Sequence, residues 1–149
     1  TKSGNPKAIV LTRQNLEYLE FENSYQNFIN GASIVSDGTE ATIFASGSEL
    51  ELAFAVKEAL KENSIRIVST PILNKLENIS SETLNGLKVS DLNFTIELGR
   101  SVGWTTYLGP ITRSFSIEEF GTSAPIKSLQ EEFKFTVDNI SSEIKKFLN

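Results

Sequence analysis

ATIFASGSELELAFAVKEALKENSIRIVS, residues 41–69, reads as strand, helix, strand. Ala41–Ala45 is a short apolar run, and IRIVS at 65–69 is a second, closed by Pro71, which cannot donate to a ladder. Between them Ser48-Glu49-Leu50-Glu51 has the form of a capping box: a serine oxygen for the first free amides, a glutamate to reach back. The pattern predicts a helix from Glu49 to about Asn63. Leu52, Val56, Ala59 and Leu60 form its apolar side with Ala53 adjoining, and Lys57, Glu58, Lys61 and Glu62 fall opposite.

Upstream, GASIVSD (31–37) is strand-like and Asp37-Gly38-Thr39 is turn chemistry, so this strand is expected to pair with 41–45 as an antiparallel hairpin. Residues 17–30 mix acids and aromatics without a period and read as an irregular connection. Before them, Ala8–Leu11 is a strand-like run that stops at Thr12-Arg13-Gln14-Asn15. Downstream, residues 72–91 read as a loop with a short helix, started by Ser80-Ser81-Glu82 and stopped at Gly86. Phe94, Ile96 and Leu98 alternate as in a strand. Gly99, Gly103, Gly109 and Pro110 make 99–114 an expected loop carrying Trp104 and Tyr107, and 114–120 reads as a last strand. Gly121 to Pro125 opens a helix through about Glu132, and Thr136 caps a final one containing Val137, Ile140, Ile144 and Phe147. Such alternation predicts an α/β fold: a three-layer α/β/α sandwich around a mostly parallel mixed sheet of about five strands, one of them antiparallel.

Composition narrows the chemistry. The 149 residues are 39% hydrophobic and 22% charged, with 14 basic against 19 acidic side chains and no basic run, which argues against nucleic acid as a partner. There is no cysteine, hence no thiolate nucleophile, and no histidine, the usual base near neutral pH. No stretch approaches the ~20 apolar residues of a membrane span, so no membrane partner is expected. Methionine is absent, even at position 1, which fits a fragment or a processed chain.

In an open α/β sheet, ligands bind beyond the carboxyl ends of the strands. Ser46-Gly47-Ser48, Thr70, and Leu98-Gly99-Arg100 fall there. The first can hold a small anion at a helix start, or can be no more than a tight turn and a cap. Glu49, Glu51, Glu118 and Glu119 diverge on their elements and read as solvated surface. Trp104 and Tyr107 fit either an interface or the core. Arg13 closes a strand and can grip phosphate or carboxylate with paired hydrogen bonds, or can serve an ion pair with a nearby acid.

LTRQNL (11–16), ATIFASGSELELA (41–53), RIVSTP (66–71), GW with YLG (103–104 and 107–109) and FGTSAPIKSLQEEFKFTVDNI (120–140) resemble, in this order and at similar spacing, the C-terminal portion of transketolase. The resemblance covers nearly the whole chain. It implies membership of a homodimeric, cytoplasmic enzyme that moves a two-carbon ketol unit from a ketose phosphate to an aldose phosphate, using thiamine diphosphate and a divalent metal, magnesium or calcium. It implies that residues 1–15 end the pyrimidine-binding domain, 16–30 link, and 31–149 form the C-terminal α/β domain. By the same resemblance Arg13, in the R-Q-N motif, binds substrate phosphate.

The family's G-D-G and N-N cofactor motif, its cofactor-activating glutamate and its active-site histidines have no counterpart here. No catalytic, cofactor-binding or metal residue is therefore assigned, and the chain alone is expected to be inactive, with a structural role. The alternative is a module that binds a small anion or regulatory ligand around Ser46, Gly47, Ser48 and Arg100.

Overall fold

The computed structural model describes residues 11–21 and 29–148. The strand expected at 8–11 lies outside them except for Leu11. Five strands form one sheet: β1 (Ser33–Ser36), β2 (Ala41–Ala45), β3 (Ile65–Ser69), β4 (Asn93–Ile96) and β5 (Arg113–Phe115) in the order β1-β3-β2-β4-β5. β2 pairs in parallel with both β3 and β4, and β4 with β5. Only β1 runs antiparallel, so the mixed sheet expected from the sequence is present.

The hairpin is not. β1 lies on β3, with Ser33 opposite Ser69 and Ile34 opposite Val68, and does not touch β2 as a ladder partner. Two causes separate the pair. Every residue of β2 is buried, so the strand needs a neighbour on each side. The segment after β1 is also held to the start of β3, where the Thr39 and Glu40 amides both donate to the Ser64 carbonyl at 2.9 and 2.8 Å.

Helices α1 (Glu49–Ala59) and α5 (Val137–Leu148) cover one face. There Ile43, Ile67 and Ile96 meet Ala53, Val56 and Ile140. A 3₁₀ helix (Leu73–Asn78), α2 (Ser81–Leu87) and α3 (Val102–Leu108) cover the other face. On that side Phe44 and Val68 pack with Leu76, Leu87, Trp104 and Leu108. The sandwich therefore has three layers, and each burying face removes apolar area from water at roughly 25 cal/mol per Å². Helix α4 (Ile126–Glu132) precedes α5.

Local readings shift in three places. Ser48 is itself helical and its side chain makes no cap bond, so the first turn is closed by Glu49 N–H to the Ser46 carbonyl at 3.1 Å. The buried stripe of α1 is Leu50, Ala53 and Val56, continued by Leu60, and Ala59 is exposed. Residues 99–114 are not all loop, because α3 occupies 102–108 and buries Trp104 in the core. Gly103 marks close packing there: a Cβ would stand 3.3 Å from the Leu73 side chain. The last strand is shorter than 114–120, ending at Phe115.

Candidate functional site at the carboxyl end of the sheet

The connection from β2 to β3 carries α1 over one face, whereas those from β3 to β4 and from β4 to β5 run over the other. The crevice between the carboxyl ends of β2 and β4 is therefore the switch point at which such sheets bind ligands. Register places Ser46 level with Thr70 on one side and Glu97 on the other. The Ser46 hydroxyl donates to Glu97 Oε2 at 3.3 Å, and the Gly99 amide to Glu97 Oε1 at 3.1 Å. Thr70 is 1% exposed, and its Oγ1 has no hydrogen-bond partner among the described residues.

Glu49 departs from the expected solvated surface: only 7% of it is exposed. Burial pushes its carboxyl above the ordinary range, with the Glu97 charge adding to the rise and the Ser48 hydrogen bond opposing it. That bond runs from the Ser48 hydroxyl to Glu49 Oε1 at 2.7 Å. Glu51, Glu118 and Glu119 are exposed as expected. Glu118 accepts from the Ser101 amide and the Ser116 hydroxyl, and those bonds, with Arg100, hold its pKa down at about 2.

This arrangement disfavours an anion at Ser46-Gly47-Ser48. Both serine hydroxyls already donate to carboxylates, and Arg100 is paired with Glu118 at 3.5 Å. An electronegative crevice suits a cation or a hydrogen-bond donor. Among the described residues the only side-chain acceptors of its two serine hydroxyls are carboxylates, and the chain has no histidine to serve as the usual base.

Beside the crevice a cavity of about 380 Å³ opens between α1, α4 and the entering chain. Glu49, Leu52, Ile126 and Phe135 line it, and Gln14, Asn15 and Leu16 form its rim. Arg13 precedes that rim. It is exposed, and among the described residues its guanidinium has no hydrogen-bond or ion-pair partner. Residues 11–21 contain neither helix nor strand, yet Leu19 packs on the core and the Phe21 ring stacks on Phe54 at 6.0 Å. The run is thereby tied to α1. Sequence reasoning missed Glu49 as a buried acid, and its only signal was its place directly after the S-G-S turn.

Residues 31–136 match the family described as the transketolase-like TK C-terminal domain. The chain belongs to the transketolase family. It is 36% identical to the transketolase of Halalkalibacterium halodurans over 96% of its own length, and 36% identical to that of Bacillus subtilis over 97%. It spans 23% of the length of each of these curated relatives and corresponds to their C-terminal part. The solved transketolase of Pichia stipitis in complex with sedoheptulose 7-phosphate superposes on 90% of this chain with a TM-score of 0.78 at 24% identity, covering 20% of that structure. That likeness shows the fold.

Transketolase chemistry also demands a place for a diphosphate and a divalent metal. Among the described residues no three carboxylates, histidines or cysteines gather into a metal-binding group. Glu49 and Glu97 would repel a diphosphate rather than hold it. No helix among the described residues is long and apolar enough to cross a membrane.

Proposed function

We propose that this chain is the C-terminal part of a transketolase subunit that transfers a two-carbon ketol unit between sugar phosphates, and that Arg13 is its contribution to substrate binding. Residues 1–15 then close the pyrimidine-binding domain, 16–30 link, and 31–149 form the C-terminal domain. Thiamine diphosphate, the divalent metal and the catalytic residues belong to the rest of a cytoplasmic homodimer, and the chain by itself is inactive.

The observation that carries the reading is Arg13: a guanidinium with no acid partner among the described residues, beside the rim of the cavity at the carboxyl end of the sheet. A guanidinium presents a planar fork of donors that matches phosphate oxygens in pairs, and a free one carries no ion pair that must first be broken. A sugar phosphate is the anion that the Pichia stipitis relative is named as holding.

The test is a ketol-transfer assay of a transketolase subunit carrying this chain, with Arg13→Ala against the unaltered protein. Phosphorylated acceptors are expected to lose about 10–100-fold in kcat/KM, as follows from a charge-assisted bond worth about 1.5–3 kcal/mol. Unphosphorylated acceptors should be unaffected. An equal loss on both, or none on either, removes the phosphate role.

A further inference from the structure

We propose that the cavity beside the β2–β4 crevice is a binding site for a small organic cation, an ammonium on an apolar body, with its charge against Glu49 and its body between α1, α4 and Phe135. The phosphate role of Arg13 is not needed for it.

The walls and the acid suit different halves of such a molecule. Leu52, Ala55, Ile126, Phe135 and Val137 make up much of the lining, and about 380 Å³ has room for roughly a dozen non-hydrogen atoms at the ~30 Å³ that each water occupies in the liquid. Cavities of this size and lining hold small molecules, which gain from burying apolar surface and are oriented by a few polar groups. Here the buried polar group is Glu49, 7% exposed, which accepts from the Ser48 hydroxyl at 2.7 Å. A carboxylate offers about four acceptor positions. Among the described residues no ammonium or guanidinium stands within ion-pair distance of it.

The charges around the acid set the sign of the ligand. Glu51 on α1 also lines the cavity, and Glu97, just past the end of β4, adds its field to that of Glu49. The nearby cations, Lys127 on α4 and Arg13 before the rim, are exposed and pair with none of these acids. Within the walls the Glu49 charge is the least screened, and it repels an anion and attracts a cation. A bare metal ion is disfavoured, because hard cations take about six or more oxygens and apolar side chains make up much of this lining. A neutral ligand would cover the carboxylate without a counter-charge, which is costly. An ammonium supplies both the charge and N–H donors, while its apolar body meets Leu52, Ile126 and Phe135.

The test is a nuclear magnetic resonance titration of the isotope-labelled 149-residue chain with 2-phenylethylamine, which is protonated at pH 7 as alkylamines are, at constant ionic strength. Saturable shifts are expected at the amides of 49–55, 126–130 and 135–137, with a Kd of about 1 mM or tighter. 2-Phenylethanol and 3-phenylpropionate keep the ring without the positive charge and should bind at least about tenfold more weakly. Glu49→Gln should weaken the amine at least about tenfold, the loss of a charge-assisted bond. Glu58→Gln removes the same charge from an exposed position elsewhere on α1 and should change the Kd by less than about twofold. Ala55→Trp, at an exposed position on the cavity wall, should exclude the ring while leaving Glu49 in place. Equal weakening by Glu49→Gln and Glu58→Gln would mean general attraction to an acidic surface and overturns the proposal. So does equal binding of the three probes, binding that Ala55→Trp does not disturb, or no saturation up to about 20 mM amine.

Discussion

The two ends of the parallel strands are built differently. At the amino end the loops are fastened to one another, although the buried Asn93 Oδ1 at the start of β4 has no hydrogen-bond partner among the described residues. Arg66 pairs with Asp37 at 2.7 Å and donates to the Gly86 carbonyl, Glu40 accepts from the Ser64 amide and from Asn63, and the Ser90 hydroxyl donates to the Glu40 carbonyl. Gly38 lies so close to β3 that a Cβ would stand 2.2 Å from the Ile65 carbonyl carbon. At the carboxyl end the same sheet leaves a buried acid, an unpartnered threonine hydroxyl, a cavity and a fully exposed phenylalanine. Closed polar networks stabilise a fold, whereas groups left unsatisfied within it keep capacity for a partner. On the function proposed above, the amino end holds this domain together and the carboxyl end carries the substrate contact.

The sharpest way to break that contrast is Gly38→Ala. The new methyl group meets backbone, which cannot rotate away, so a loss of about 3 kcal/mol is expected. It should be read as a lower urea midpoint at unchanged slope. Arg66→Ala comes next. Its guanidinium is largely buried but its partner Asp37 is 79% exposed, so solvent screening leaves a cost of about 1 kcal/mol.

Glu49→Gln should move stability the other way, and only at higher pH. Burial raises the folded pKa of Glu49 above the unfolded 4.5, so the folded state binds the proton more tightly. The contribution of Glu49 is then most favourable below 4.5 and falls as pH climbs through the raised value. The glutamine variant should therefore melt above the unaltered chain at pH 7 and converge with it toward pH 4.5. Glu118, lowered to about 2, acts in a separate window: its stabilisation is present above the ordinary glutamate value and lost as pH falls toward 2.

What could be read in the sequence follows the range of the forces involved. ATIFA and IRIVS are continuous apolar runs, and β2 and β3 occupy those residues. Ser80 caps α2 by accepting from the Thr83 amide, as its Ser-Ser-Glu signal implied. The neighbour of β1 was not legible, because Asp37-Gly38-Thr39 reports a change of direction and not which strand lies beyond it. Helix α3 was hidden by Gly103, a turn signal until the Leu73 side chain, 3.3 Å from where a Cβ would stand, shows how closely the helix packs there. Glu49 looked like surface because the cavity it lines is completed by distant segments, α4 and the run 14–16. Arg13 could be singled out from position alone, though not its lack of an acid partner among the described residues.

The central claim, that function lies at one end and stability at the other, is tested most directly by measuring the preference for phosphorylated over unphosphorylated acceptors in a subunit carrying either Arg13→Ala or Arg66→Ala. The expected result is a preference that falls by about 10–100-fold with Arg13→Ala and stays unchanged with Arg66→Ala. A fall of the same size for both arginines, or for Arg66 alone, would contradict it.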